Sequence, residues 1–96
     1  MDLSSLFQKV RQDTVAICKP LETEDYLLQP AYFTSPAKWS LGHTSWFFEE
    51  LVLKPYVRDY KPFHAQYNFL FNSYYNTLGE RVVRHKRGDL SRPTVE

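Results

Sequence analysis

Six prolines divide this chain of 96 residues and limit where helices can run. Inside a helix, proline lacks the N–H donor and its ring clashes with the carbonyl of the preceding turn. The pattern therefore predicts helices joined by proline-marked loops. Apolar residues at helical spacing predict an amphipathic first helix over residues 3–19, with Asp2 or Ser4 placed to cap it. Pro20 limits its end.

A second helix is predicted after a short irregular segment. Residues 22–29 are expected to form one or two turns before the loop QPAYFTSP. Ser35 is placed to cap the second helix, and Pro36 suits its first position because an N–H is not needed there. The pattern runs to about Leu53, and Pro55 is expected to stop it.

The rest of the chain predicts less regular structure. The segment KPYVRDYKPFHAQYN, residues 54–68, favours a packed loop. Residues 67–78 favour a short third helix closed by Gly79 as a left-handed cap, although FNSYY also has strand propensity. The sequence SRPT at residues 91–94 is typical of a helix start. The predicted fold class is all-α, with one domain over residues 1–96 built from two main helices and shorter ones.

Composition narrows the partners and the compartment. Twelve basic and eleven acidic residues give a net charge of +1, which argues against a nucleic-acid or acidic-membrane partner. The single cysteine, Cys18, excludes an internal disulfide, and the N-terminus lacks a signal peptide. A reducing cytoplasm is expected, and no apolar run reaches the roughly 20 residues that cross a bilayer. So small a chain buries a modest fraction of its surface, so a partner chain is expected.

One histidine, His43, lies among large side chains along one side of the predicted second helix: Trp39, Trp46, Phe47 and Glu50. It is interpreted either as a core residue hydrogen-bonded to a neighbour or as a metal ligand. A metal would need further donors, and no HxxxH pair is present. Glu50 lies two turns away, about 10 Å by helix rise. His64 and His85 fall in predicted loops.

The C-terminal segment is basic, with Arg81, Arg84 and Arg87 recurring every three residues. Guanidinium groups in this arrangement can hold carboxylates or phosphates through paired hydrogen bonds. The alternative is an exposed, solvated loop. Single-strand nucleic-acid binding with the nearby tyrosines is disfavoured by the balanced charge and the missing RNP-type motif.

Two blocks of sequence resemble a known family. SPAKWSLGHTSWFFEELVLKPY and FLFNSYYNTLGERVVRHKRGDLSRPT are similar to the N-terminal DinB-like domain of the EgtB-type sulfoxide synthases of ergothioneine biosynthesis. The resemblance runs from about Leu6 to the last residue. It implies part of an up-and-down helical bundle and non-haem iron chemistry, in which O2-dependent catalysis joins a thiol, γ-glutamylcysteine or cysteine, to a histidine betaine.

The resemblance also implies site residues. His43 matches the first of three histidines that bind Fe(II), and the other two come from an HxxxH-like pair on a later helix that this sequence does not contain. His64 and His85 do not replace that pair by spacing. Arg81 and Arg84 best match an arginine pair that holds the carboxylates of the thiol substrate, with Arg87 as a third. A formylglycine-generating-enzyme-like domain supplies the family's catalytic tyrosine.

Two functional classes follow from these expectations. In the first, the chain is a fragment or subunit of a sulfoxide synthase that is inactive alone and needs a complementing polypeptide. In the second, it is a stand-alone DinB-like remnant that pairs with itself into a homodimer, completing a bundle without metal chemistry. Glu49 or Glu50 is expected to orient the His43 ring.

Overall fold

The computed structural model describes residues 2–73 and 79–96, and within them every regular element is a helix. The first helix, α1, spans Leu3–Ile17. The carboxylate of Asp2 accepts a hydrogen bond of 2.7 Å from the backbone N–H of Ser5, as predicted for a capping residue. A 3-10 turn at Thr23–Leu27 follows and confirms the short helical segment expected there.

Helix α2 spans Ala37–Phe48. Its N-cap is Pro36, whose carbonyl accepts from the N–H of Ser40 at 3.1 Å. The prediction that Ser35 caps this helix and that Pro36 is its first residue is therefore wrong by one position. The hydroxyl of Ser35 instead accepts a hydrogen bond from Arg87.

The helix does not stop at Pro55. It continues as a π-helical turn over Glu49–Leu53 and a short α-helix, α3, over Lys54–Tyr56. The N–H of Lys54 donates to the carbonyl five residues back, which shifts the helical register just before the proline. Pro55 then lies in the first turn of a new α-helical segment, where its missing N–H is tolerated.

Helix α4 spans Tyr67–Phe71 and is shorter than predicted. It ends because Asn72 is extended, with φ −65° and ψ 145°. The later part of the predicted helix, residues 74–78, lies outside the described residues. Gly79 has a positive φ of 122°.

The remaining segments lack long helices. Residues 57–66 form no helix, as predicted, but the loop is not packed, because all of its residues except Tyr60 are exposed. A 3-10 helix spans Arg84–Asp89. Residues 91–96 contain no helix, so the predicted helix start at SRPT is wrong; the Arg92–Pro93 peptide there is cis.

The core lies between α2 and α4. Its buried residues are Trp39, Trp46 and Phe71, and partly buried side chains surround them: Phe47, Tyr67, Leu70 and Leu90. Helix α1 contributes no buried residue, and it contacts α2 through Phe7, whose ring meets Phe48 edge-on at 4.7 Å between centroids, and through Arg11, which donates to the hydroxyl of Ser45 at 2.7 Å. The helices of the described residues confirm the predicted all-α fold class. No helix in the described ranges has both the length and the apolar character to span a membrane.

The close approach of α2 to α4 at Gly42 gives a stability test. A Cβ at this position would lie 2.3 Å from the Phe71 ring, which is buried. Replacing glycine by alanine inside a helix normally adds about 1 kcal/mol of stability. We expect Gly42→Ala instead to lower the free energy of unfolding by about 1–3 kcal/mol, because the core must shift.

Urea unfolding measures this effect, and Ser40→Ala on the exposed side of α2 is the matched control. That control should stay within about 0.5 kcal/mol of the parent. A Gly42→Ala variant as stable as Ser40→Ala would contradict the packing of Phe71 against α2.

Candidate functional site

The imidazole of His43 lies between two indole rings of its own helix. Its centroid is 4.7 Å from that of Trp39 with an interplanar angle of 10°, and 5.4 Å from that of Trp46 with an angle of 23°. Residues four and three apart on a helix face one another, so the sequence places these rings in a column. The column covers both faces of the imidazole and leaves only its edge accessible.

A backbone carbonyl fixes the orientation of the His43 ring. Nδ1 lies 2.7 Å from the carbonyl oxygen of Phe71. A carbonyl only accepts, so Nδ1 carries the proton, and the lone pair of the neutral ring is on Nε2. No residue in the described ranges hydrogen-bonds to Nε2. Histidines that bind metals commonly donate their other N–H to a backbone carbonyl in this way.

The same contact also stabilises the fold. The last carbonyls of a helix have no partner within it, and the short helix α4 presents them to α2. Trp39 Nε1 donates to the carbonyl of Leu70 at 2.9 Å, and His43 donates to that of Phe71. Trp46 Nε1 donates to the side chain of Asn68 at 2.8 Å. His43 is therefore a hydrogen-bonded residue beside the core, and its free nitrogen is compatible with a ligand role as well.

This finding corrects one expectation about the ring. Neither Glu49 nor Glu50 orients His43, because the Phe71 carbonyl does so. The carboxylate of Glu50 accepts a hydrogen bond from Lys54 at 2.9 Å, and that of Glu49 accepts one from the hydroxyl of Tyr60.

Arg87 extends the aromatic column. Its guanidinium carbon lies 3.4 Å from the centroid of Trp39, and its nitrogens donate to the hydroxyls of Ser35 at 2.8 Å and Ser73 at 3.3 Å. Only 4% of the residue is exposed. Arg87 thus holds the C-terminal segment against α2 through a cation–π contact and hydrogen bonds. Its assignment to the thiol substrate stays a prediction.

Arg81 and Arg84 lie earlier on the same segment and are half-buried. Arg81 lines an open surface depression with Gly79, Glu80 and Val83. The backbone carbonyl of Arg84 accepts a hydrogen bond from the side chain of Gln29, which fixes the start of the 3-10 helix. Their role in binding a thiol substrate also stays a prediction.

The other candidate donors do not gather around His43. In the described part of the chain, no three histidine, cysteine, aspartate or glutamate side chains lie close enough to hold a metal ion. His64 is exposed and its Nδ1 accepts from the N–H of Gln66 at 3.1 Å, and His85 is exposed on the 3-10 helix. The described residues alone therefore do not fit a resident iron ion; they offer one ligand.

A second polar centre, which sequence reasoning did not identify as a site, surrounds Glu49. Its Oε2 accepts from the hydroxyl of Tyr60 at 2.8 Å and from the N–H of Phe63 at 3.1 Å. The hydrogen bond to Glu49 raises the pKa of Tyr60, with smaller contributions from burial and the negative charge. Burial, and then the charge of Glu49, raise the pKa of Tyr67. No local sequence motif indicates this centre, because the turns after α3 bring Tyr60 to Glu49 from eleven residues away in the chain.

Comparison with known proteins adds no family assignment. No protein-family model matches the chain, and no curated protein matches it. The resemblance to the sulfoxide synthases therefore stays a prediction that depends on the two sequence blocks.

The structural role of His43 is testable by substitution. His43→Leu removes the donor to the Phe71 carbonyl, so we expect the free energy of unfolding to fall by about 1–3 kcal/mol. His43→Gln retains an N–H donor and should lose less. Urea unfolding in the presence of a chelator measures both, with His85→Leu as the control because His85 is exposed on the 3-10 helix. An unchanged midpoint for His43→Leu would mean that this bond does not stabilise the fold.

The Tyr60–Glu49 bond predicts a pH dependence. The pKa of Tyr60 lies above its ordinary value of 10.0 in the folded chain. The neutral phenol therefore stabilises the fold fully below the unfolded pKa, and this contribution is lost as pH rises through the folded pKa. Stability should fall less steeply between about pH 9 and 11 in Tyr60→Phe than in the parent.

Urea midpoints across that range test the pH effect, with Tyr32→Phe as the control because Tyr32 is 76% exposed. Equal alkaline slopes for the parent and Tyr60→Phe would contradict the contribution of the hydrogen bond.

Proposed function

We propose that this chain supplies one histidine ligand, His43, to a non-haem Fe(II) centre of the EgtB sulfoxide synthase type. The observation that carries the proposal is the hydrogen bond from Nδ1 to the Phe71 carbonyl at 2.7 Å, which leaves Nε2 as the lone-pair donor. This arrangement holds the imidazole in the tautomer and orientation that a metal ligand needs. The resemblance of the surrounding sequence supports the choice of iron.

The chain is proposed to be inactive alone. A single protein ligand holds ferrous iron weakly, so the proposed centre needs the HxxxH pair and the second domain from residues other than these 96. Bound iron in that family provides the O2 chemistry that joins a thiol to a histidine betaine. The contribution of this chain is to orient His43, to cover its ring with Trp39 and Trp46, and to hold substrate carboxylates with Arg81 and Arg84.

A second candidate function is a structural or binding homodimer without metal chemistry. One observation favours it: no side chain of the 15-residue helix α1 is buried. An isolated helix of that length is marginal in water, so the helix gains from a protein surface that covers it.

Anaerobic Fe(II) titration by calorimetry tests the first candidate. The purified chain alone should show no stoichiometric binding. An equimolar mixture with a recombinant polypeptide that carries the later helices and the second domain of an EgtB-type enzyme should bind one Fe(II). His43→Ala should weaken that binding about 10-fold or more, because a direct ligand is lost.

His85→Ala is the matched control, since His85 is exposed on the 3-10 helix. It should bind Fe(II) in the mixture as the parent does. Equal affinity in His43→Ala and the parent, or no association with the added polypeptide, would remove the iron-centre proposal.

A further inference from the structure

The apolar side of α1 is exposed along its whole length. Leu3, Leu6, Phe7 and Val10 follow helical spacing, and their exposed fractions are 82%, 47%, 42% and 53%. Singly exposed apolar residues are ordinary on protein surfaces, but a contiguous stripe of this kind marks an interaction surface. A partner that covers this stripe would remove four large side chains from water.

A groove runs beside the stripe, with a volume of about 410 Å³. Its walls come from α1, the end of α2 with the π turn, the turns after α3 and the start of α4. Aromatic rings dominate the lining: Phe7, Trp46, Phe48, Tyr60, Phe63 and Tyr67. The stripe and the groove share Phe7, so they form one continuous surface, called here the α1 face.

Two opposite charges line this groove without neutralising each other. Arg11 donates to the hydroxyl of Ser45 at 2.7 Å, and the Oε2 atom of Glu49 accepts from Tyr60 and Phe63. In the described ranges neither Arg11 nor Glu49 belongs to an ion pair. An occupant that complements the groove would carry a carboxylate and a cation beside an apolar surface.

The whole chain exposes more surface than a compact domain of its size. The accessible surface is 7350 Å², whereas a compact monomer of this mass exposes about 5,800 Å². The radius of gyration is 14.1 Å, against about 12.5 Å for a compact domain of this length. The excess of about 1,600 Å² exceeds the roughly 800 Å² that each partner buries in a standard protein interface. The excess belongs to the whole chain, and it is large enough for an interface of protein size.

We propose that the α1 face binds a second copy of this chain in a two-fold symmetric dimer. In such a dimer the same patch is used on both copies, so Arg11 of each copy pairs with the partner's Glu49. Two Arg11–Glu49 ion pairs thus form across the interface, and the apolar stripes of the two copies cover one another. A net charge of only +1 gives little repulsion between copies. The inference rests on self-association, the second candidate function, and is independent of iron.

A charge-exchange experiment tests the pairing in the full chain. Sedimentation equilibrium of the parent should give twice the chain mass of 11.4 kDa. Arg11→Glu and Glu49→Arg should each weaken the dimer about 100-fold or more, because each places like charges together twice. Mixing the two variants should restore a heterodimer, and the double variant should dimerise like the parent.

Matched controls separate this pairing from a general charge effect. Lys86→Glu and Glu24→Arg change exposed charges outside the groove and should dimerise like the parent, alone and mixed. Leu3→Glu is a second probe that removes no buried contact and places a negative charge where a helix N-terminus favours it. It should weaken the dimer about 10-fold.

The outcomes distinguish the alternatives. A parent that stays monomeric at high micromolar concentration would overturn the dimer and point to a different protein as the occupant. A parent dimer unaffected by all three groove and stripe variants would preserve self-association but overturn the α1 face as its site. Neither outcome depends on whether the iron centre forms.

Discussion

The hydrogen bonds from the rings of α2 to the end of α4 hold the two helices together. Two of them, from Trp39 and His43, satisfy the last carbonyls of a helix only five residues long, which has few bonds of its own. Ring N–H donors suit this task because they are rigid and bring apolar surface with them. The packing of the Phe71 ring against Gly42 depends on the same approach of the two helices.

The Phe71 carbonyl gives His43 two compatible roles. The bond to Nδ1 contributes to stability whether or not a metal binds, so the structural and functional interpretations do not exclude each other. The stacked indoles prevent the ring from tilting, and the lone pair of Nε2 faces away from the carbonyl. A histidine without such a second contact would have to be ordered at the moment of binding, which costs side-chain entropy.

Sequence reasoning predicted the helices with strong periodicity and clear caps. Helix α1 begins where predicted and ends two residues early, and the α2 residues around His43 face the core as expected. The error at Pro55 arises because local propensity does not report the π turn that accommodates the proline. The buried position of Arg87 was also not predicted, because its partners Ser35 and Ser73 are distant from it in the sequence. Contacts of that kind depend on the tertiary fold.

The two proposals share Trp46, which stacks on His43 and also lines the groove, but their other α2 residues lie on different sides of the helix. His43 stacks with Trp39 on the side facing α4, whereas the groove involves Ser45 and Phe48, which lie about 200° and 140° from His43 around the helix. A dimer through the α1 face would therefore leave the edge of the His43 ring open to further donors. Self-association can stabilise the weakly covered helix α1 without blocking an iron site. Arg11 and Glu49 of the groove and Nε2 of His43 can therefore be tested by different substitutions, whereas a change at Trp46 would affect both surfaces.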